Sequence, residues 1–303
     1  VLMRILFVTS TRIGDAVLST GLLDHLLRTY PGARITVACG PVAEGVFSRM
    51  PGRERTIVVA KRRFSMHWPV LWAEVARTVW DLVVDLRGSA LGWMVPARRR
   101  VVMRGGRRPG HRIGHIAAVL RISPPPSPVA WFAPEDSRRA AELLGDDRPV
   151  LALGPTANWA GKVWPAERFV ALAGALTAPG GPLEGARPVL LGGPGEAERA
   201  MAAPVVAALP GALDLVGRLS LPEAAALLAR ARLFAGNDSG LMHLSAAAGA
   251  PTLGFFGPTP ADEYGPIGRA ARAVVSPDGT MAGLSVESAV EAARALLPTP
   301  IPA

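Results

Sequence analysis

The sequence predicts an α/β protein made of two consecutive parallel-sheet halves. Three observations carry this. Short apolar, β-branched runs alternate with helix-periodic stretches along the chain, the pattern of right-handed βαβ units. A proline-dense segment at residues 123–134, with Pro124, Pro125, Pro126, Pro128 and Pro134, interrupts that alternation near its middle. The chain has 303 residues, and at about 150 residues per domain that length fits two cores better than one. The expected domains are residues 1–134 and 135–303.

The elements follow in order. Residues 4–10 (RILFVTS) read as a first strand, with Gly14 in the turn after it. Over 15–30, Val17, Leu18, Leu22, Leu23, Leu26 and Leu27 recur at three- and four-residue steps, which predicts a helix. Pro31-Gly32 ends it. Strands are expected at 34–38 (RITVA), 56–59, 82–85 (LVVD) and 101–103. Residues 123–134 can form neither a regular helix nor a central strand and read as an extended crossing. The pattern restarts with strands at 150–153 (VLAL), 188–191, 213–216, 233–235 and 251–256. Helices are expected at 165–176, 196–209, 221–231 and 240–248, and the last, at 286–297, is a candidate to pack back toward the first half.

Composition removes several classes. The mean hydropathy is +0.28, yet no run of 18 consecutive apolar residues occurs, so no transmembrane helix is expected. The first residues carry one Arg and no small-residue cleavage site, so no signal peptide is expected. Cys39 is the single cysteine, which excludes an internal disulfide and a cysteine-cluster metal site. Of five histidines only His111 and His115 have a spacing that touches metal ligation. A cytoplasmic setting is the expectation. Charge divides unevenly. Residues 1–140 hold 22 Lys and Arg against 9 Asp and Glu, a net +13, while residues 141–303 hold 11 against 15, a net −4. A basic first half attracts an anionic partner such as a phosphorylated lipid, a nucleic acid or a membrane surface.

Four loops at strand ends are candidates for chemistry. At 11–15, Asp15 reads either as a helix cap or as a carboxylate at the mouth of a site. The G-x-G-x-x-G fingerprint is missing there. At 154–165, Thr156 and Lys162 precede a helix, and Lys162 is one of only two lysines, with Lys61. A lysine kept in an arginine-rich chain points to a compact ammonium for phosphate oxygens. At 191–196, glycines permit close ligand approach and Glu196 is placed to accept from ribose hydroxyls. The G-K-[ST] ending of a nucleotide P-loop is absent. At 236–243, Asp238 reads as a cap or a sugar-hydroxyl acceptor. The amides of Ser239, Gly240 and Leu241 open a helix and suit an anion. His243 reads as a packed imidazole or a contact. Two basic stretches, Lys61-Arg62-Arg63 and residues 98–112 with Arg98 and Arg104, read either as solvated flanks of strands or as rims for acceptor phosphates or an anionic membrane face.

Taken together, these segments resemble glycosyltransferase family 9, the bacterial heptosyltransferases of lipopolysaccharide assembly. The resemblance rests on R-I-G-D-A-V-L at 12–18, K-V-W-P-A-E-R-F at 162–169, G-G-P-G-E at 192–196 and N-D-S-G-L-M-H-L at 237–244. Gly21 stands where many members carry proline. The resemblance implies a GT-B fold, two Rossmann-like domains with parallel sheets facing a central cleft. It implies inverting transfer of heptose from ADP-heptose to an anionic glycolipid acceptor of the lipopolysaccharide core. It assigns Asp15 as base and Lys162 as the pyrophosphate's cation. Gly14, Thr156, Lys162, Glu196, Asp238, Ser239, Gly240, Leu241 and His243 become donor contacts. Lys61, Arg62, Arg63, Arg98 and Arg104 are the expected acceptor contacts. No cofactor or bound metal is expected to be required, with Mg²⁺ at most a stimulator. Peripheral contact with the inner membrane surface is a further expectation, and nucleic acid is not an expected partner. An epimerase of the same fold and a non-catalytic nucleotide-sugar or nucleic-acid binding module stay open as alternatives.

Overall fold

The structure, a computed structural model, describes residues 3–60, 67–105 and 109–297. The chain divides into two units, Val1–Trp131 and Phe132–Ala303. The first contains β1 (Arg4–Val8), α1 (Ile13–Thr29), β2 (Arg34–Cys39), α2 (Glu44–Phe47), β3 (Arg53–Val58), α3 (His67–Val75), β4 (Trp80–Asp85), α4 (Leu91–Met94), β5 (Ala97–Val102) and α5 (Arg112–Ala118). Its strands pair in parallel in the order β3-β2-β1-β4-β5. Ile5, Leu6, Phe7 and Val8 of β1 are all buried, as a central strand covered on both faces requires.

The second unit contains α6 (Pro134–Leu144), β6 (Val150–Gly154), α7 (Ala166–Thr177), β7 (Arg187–Leu190), α8 (Glu196–Ala208), β8 (Leu213–Asp214), α9 (Leu221–Leu228), β9 (Ala231–Asn237), α10 (Gly240–Ala247), β10 (Thr252–Phe256), α11 (Ala261–Tyr264), β11 (Ala271–Val275) and α12 (Val286–Leu296). Its sheet is also parallel, in the order β11-β10-β9-β6-β7-β8. Each unit therefore grows outward from its first strand in one direction and then in the other, the Rossmann arrangement. The direction reverses between β1 and β4 and between β6 and β9. Connections leaving those neighbouring strands run over opposite faces of the sheet, and a crevice opens at their carboxyl ends.

Several expectations change. Helix α1 begins at Ile13, so Gly14 lies inside it and Asp15 is in its first turn, while the cap position belongs to Arg12. The sequence reading missed α2, α3, α4, α5, α6, α11 and β11. Helix α6 occupies residues after the proline run, with Pro134 at its first position, where the missing N–H costs no helical hydrogen bond. Helix α12 turns Ala289, Ala292 and Ala293 into the core of its own unit, against α7, β10 and β11. The proline-rich segment is irregular, as expected, but it is clasped to α1. The Val129 N–H donates to Thr20 Oγ1 at 2.8 Å. A Cβ on Gly21 would lie 2.4 Å from the carbonyl oxygen of Pro126.

Candidate functional site

In the first unit, the loops leaving β1 and β4 meet the start of α5 around a polar cavity of about 220 Å³. It is lined by Thr9, Ser10, Thr11, Asp15, Leu86, Arg87, Arg112 and Ile116. Ser10 ties the first loop together, its hydroxyl accepting from the Arg12 N–H at 3.1 Å and donating to Asp15 at 3.4 Å. The second loop is fixed by Asp85, whose buried carboxylate accepts from the N–H of Arg87 (2.8 Å), the N–H of Ser89 (3.0 Å) and the Ser89 hydroxyl (2.5 Å). Gly88 completes the turn with φ +64°, a conformation that disfavours a side chain. Opposite Asp15 stands Arg112, its Nε 3.7 Å from Oδ1. That Nε is buried and makes no hydrogen bond. A carboxylate and an under-satisfied guanidinium thus share one small cavity at the switch point, a combination able to receive a hydroxyl and an anionic group together.

The second unit builds its counterpart from the loops leaving β6 and β9. Lys162 ends a short 3₁₀ turn, Ala160–Lys162, and its Nζ lies 2.5 Å from Asp238 Oδ2. The lysine and aspartate side chains are 19% and 8% exposed, so the pair is largely shielded from water. Asn237 fixes the register of this pair. Its Oδ1 accepts from the Trp164 N–H at 3.0 Å, which binds the lysine loop to the end of β9. Trp164 is fully buried, packs against Phe169 and Phe255, and donates through Nε1 to the Leu284 carbonyl at 2.9 Å. Arg168 donates to the same carbonyl. Ser239 occupies the cap position of α10, without a side-chain cap bond. The first N–H groups of this helix lack intrahelical acceptors by geometry, and Asp238 sits immediately before them. Cation, helix dipole and free amides converge where an anion would bind.

This geometry stands beside three comparisons. The profile of Glycosyltransferase family 9 (heptosyltransferase) matches residues 116–293. The chain belongs to glycosyltransferase family 9. Lipopolysaccharide heptosyltransferase 1 of Pseudomonas aeruginosa is 29% identical over 308 residues, covering 88% of this chain and 82% of the relative. Two solved structures share the fold. A family 9 glycosyl transferase from Veillonella parvula superposes with TM-score 0.80 at 22% identity, covering 97% of each chain. The ADP-heptose lps heptosyltransferase II of E. coli does so with TM-score 0.78 at 21% identity, covering 97% of this chain and 98% of that one. This family 9 chain is a glycosyltransferase with the GT-B fold, each unit a Rossmann-like domain.

Within the family 9 chain, the expected site residues divide. Lys162, Asp238, Ser239, Gly240 and Leu241 come together between β6, β9 and α10. His243 is buried one turn into that helix. Thr156 is buried beside the glycine turn after β7, where a Cβ on Gly192 would meet its side chain at 3.2 Å. Glu196 opens α8 and is exposed. Nearby, Glu198 turns back to accept from the Gly193 N–H at 3.1 Å and stiffens the loop. Asp238 was expected as a possible cap, but that position is taken by Ser239 and its carboxylate goes to Lys162. Gly14 belongs to the first unit, in the first turn of α1. Arg98 stands away from the Asp15 cavity. It lies near the amino end of β5, paired with Asp81 at 3.5 Å, at the opposite end of the strands from Asp15. Arg104 follows the carboxyl end of β5 and is not among the residues lining the cavity. Lys61, Arg62 and Arg63 lie outside the described residues. The cationic residues that do line the cavity are Arg87 and Arg112. Arg112 closes the basic 98–112 stretch that the sequence offers as an acceptor rim, while Arg87, just past a strand end, carried no signal of its type.

Among the described residues no group of three His, Cys, Asp or Glu is disposed to hold a metal ion. His111 Nδ1 accepts from the Ile113 N–H at 3.2 Å as the cap of α5, and His115 Nε2 lies 2.9 Å from the Pro109 carbonyl.

Proposed function

We propose that this chain transfers heptose from ADP-heptose, with inversion, onto a sugar hydroxyl of the lipopolysaccharide core or a related anionic glycan. The observation that carries the reading is the shielded Lys162–Asp238 pair before α10, which sets an ammonium beside the first amides of a helix, as anion binding calls for. Family membership and the names of the relatives support the sugar and the acceptor class. In this reading the second unit takes the donor. Lys162 and the first amides of α10 neutralise the pyrophosphate, Asp238 orients a sugar hydroxyl or the ammonium itself, and Glu196 accepts from the ribose. The first unit takes the acceptor, with Arg87 and Arg112 meeting its carboxylate or phosphate groups.

In the transfer, the acceptor oxygen forms a bond to the anomeric carbon as the bond from that carbon to the phosphate oxygen breaks. ADP leaves with the electron pair, and the acceptor proton passes to Asp15. The transition state resembles an oxocarbenium ion, as in glycoside hydrolysis. Negative charge grows on the leaving group, where preorganised donors stabilise it without reorganising. No step requires a metal, and Mg²⁺ would add only screening of the diphosphate. The protein works from the inner side of the membrane as a peripheral enzyme. Incubation with ADP-heptose and a deacylated core acceptor, followed by mass spectrometry, is expected to give an acceptor heavier by one heptose plus free ADP. Consumption of the sugar nucleotide with no acceptor present would favour an epimerase and overturn the reading.

A further inference from the structure

The turn after β4 holds one cationic side chain from two directions. The Arg87 N–H donates to the buried carboxylate of Asp85 at 2.8 Å. Gly88 then packs on the end of β5, where an added Cβ would lie 2.5 Å from the Met103 carbonyl oxygen. The backbone at Arg87 is therefore fixed, and Arg87 lines the Asp15 cavity. Its guanidinium carbon sits over the ring of Trp68 on α3, 5.1 Å from the centroid. That is inside the about 6 Å within which an indole attracts a cation. Trp68 also packs against the core that holds Leu71, Val75 and Trp80. This packing anchors the indole, but it does not call for a guanidinium on the ring.

Among the described residues the Arg87 guanidinium meets no carboxylate. Asp15, in the same cavity, is answered by Arg112 at 3.7 Å. Asp85 takes the Arg87 N–H and the two Ser89 donors, not the guanidinium. The indole attracts the cation without neutralising it. A guanidinium donates in its own plane, so a ring over its face leaves the fork of N–H groups open to a planar oxyanion. Holding a long side chain in that pose before binding also removes ordering entropy that the ligand would otherwise have to offset. We infer that Trp68 is a positioning residue for the acceptor: it holds Arg87 so that the guanidinium receives an oxyanion of the acceptor sugar edge-on, as a bidentate pair. Trp68 makes and breaks no bond in the transfer. Its effect belongs to acceptor binding, and it acts through Arg87. The inference rests on the acceptor reading of the first unit and adds the residue that orients its anion receptor.

The test is a kinetic series on the full chain with ADP-heptose and the deacylated core acceptor. Trp68→Leu keeps apolar packing and removes the ring. It should raise the acceptor KM on the order of fivefold to thirtyfold, the range of a cation–ring contact. It should leave kcat and the KM for ADP-heptose near wild type, the mark of lost uniform binding. Trp68→Phe restores an aromatic face and should recover most of the loss. Arg87→Gln should raise the acceptor KM at least as far. Adding Trp68→Leu to it should cost less than about a further twofold, because the ring has no guanidinium left to hold. Site-specific replacement of Trp68 by a fluorinated tryptophan keeps the shape, drains electron density from the ring and should raise the acceptor KM at an unchanged melting temperature. Repeating the Trp68→Leu measurement on dephosphorylated acceptor names the oxyanion: an effect that persists assigns a carboxylate, and one that vanishes assigns a phosphate. A wild-type acceptor KM in the Trp68 variants, an equal rise for donor and acceptor, or effects of Trp68→Leu and Arg87→Gln that multiply in full would overturn the inference. Calorimetry with acceptor alone keeps it apart from the reading beneath it. A wild-type chain that binds no acceptor removes the acceptor reading itself, whereas equal binding by wild type and Trp68→Leu removes only the role of Trp68.

Discussion

Asp15 and Lys162 carry different halves of the proposed reaction, so their variants should fail differently. Asp15→Asn keeps the hydrogen-bonding shape but cannot take a proton. Turnover should fall about 10²- to 10⁴-fold, with ADP affinity unchanged by calorimetry. Near-normal turnover would remove Asp15 as the base. Lys162→Ala leaves the Asp238 carboxylate shielded without its cation, and breaking such a pair costs about 3–5 kcal/mol in dry interiors, with the lower end fitting a lysine partly open to water. Both ADP affinity and unfolding free energy should drop, and an unchanged ADP affinity would contradict the phosphate role. Cys39 is chemically quiet. Burial, aided by the Glu44 charge, pushes its thiol from 9.0 up to about 12. The folded state therefore holds its proton more tightly than the unfolded state, and this contribution to stability is full below pH 9 and is lost as the pH climbs toward 12. A thiol reagent at pH 8 should label the unfolded chain and leave the native protein unmodified. Rapid native labelling would show that β2 opens readily.

At the scale of elements, the K-V-W-P-A-E-R-F segment combines chemistry and scaffold. Lys162 faces Asp238, while Trp164, Arg168 and Phe169 bolt the loop to the core and to the chain before α12. Asn237 links the two parts through the Trp164 N–H. Asn237→Ala would strand that buried N–H, at a cost of about 1–3 kcal/mol. Because the lysine loop then loses its register, ADP binding should weaken along with stability, and a stability loss with full ADP affinity would show the loop is held by Trp164 alone. Helix α1 makes a second such case. Gly21 is where the proline-rich segment crosses the helix, and a Cβ there would press on backbone oxygens of Pro126 and Ser127. Ala is the better helix former, yet Gly21→Ala should destabilise by about 1–3 kcal/mol through overpacking. Chemical denaturation measures this, and a stabilised variant would mean the crossing segment moves aside at no cost. The departure from proline at this position thus has a local steric account.

For the whole molecule, any ligand that binds only the folded state stabilises it by mass action, about 2.7 kcal/mol at a concentration one hundred times its dissociation constant. A melting series with ADP, UDP, GDP and NAD is expected to single out ADP. A larger shift with UDP or GDP would change the donor while leaving the fold untouched. The two Rossmann units were legible in the sequence because βαβ units print their period locally, as strand runs such as residues 4–8 and 150–153. Short helices were not. Helices α3 and α5 have mixed or brief apolar faces, and β11 exposes part of its length as an edge strand. Loop chemistry was legible where residue type was unusual, as with Lys162 among arginines, and where a motif named it, as with Asp15 and Asp238. Arg87 was hidden in an arginine-rich background, where type carries no signal, and Arg112 was marked only as one of many arginines in the basic 98–112 stretch.

The amino-acid sequence by itself determined the α/β class, the two-part organisation, the uneven charge and the family resemblance, because each is written in local period, composition or motif. Only the tertiary structure decided which arginines reach the Asp15 cavity, that Asp238 meets Lys162 instead of capping α10, and that Trp72 of α3 donates to the Met94 carbonyl of α4. Those facts depend on which strand ends and helix faces are brought together by parallel pairing across long stretches of chain, and no local pattern records such distances.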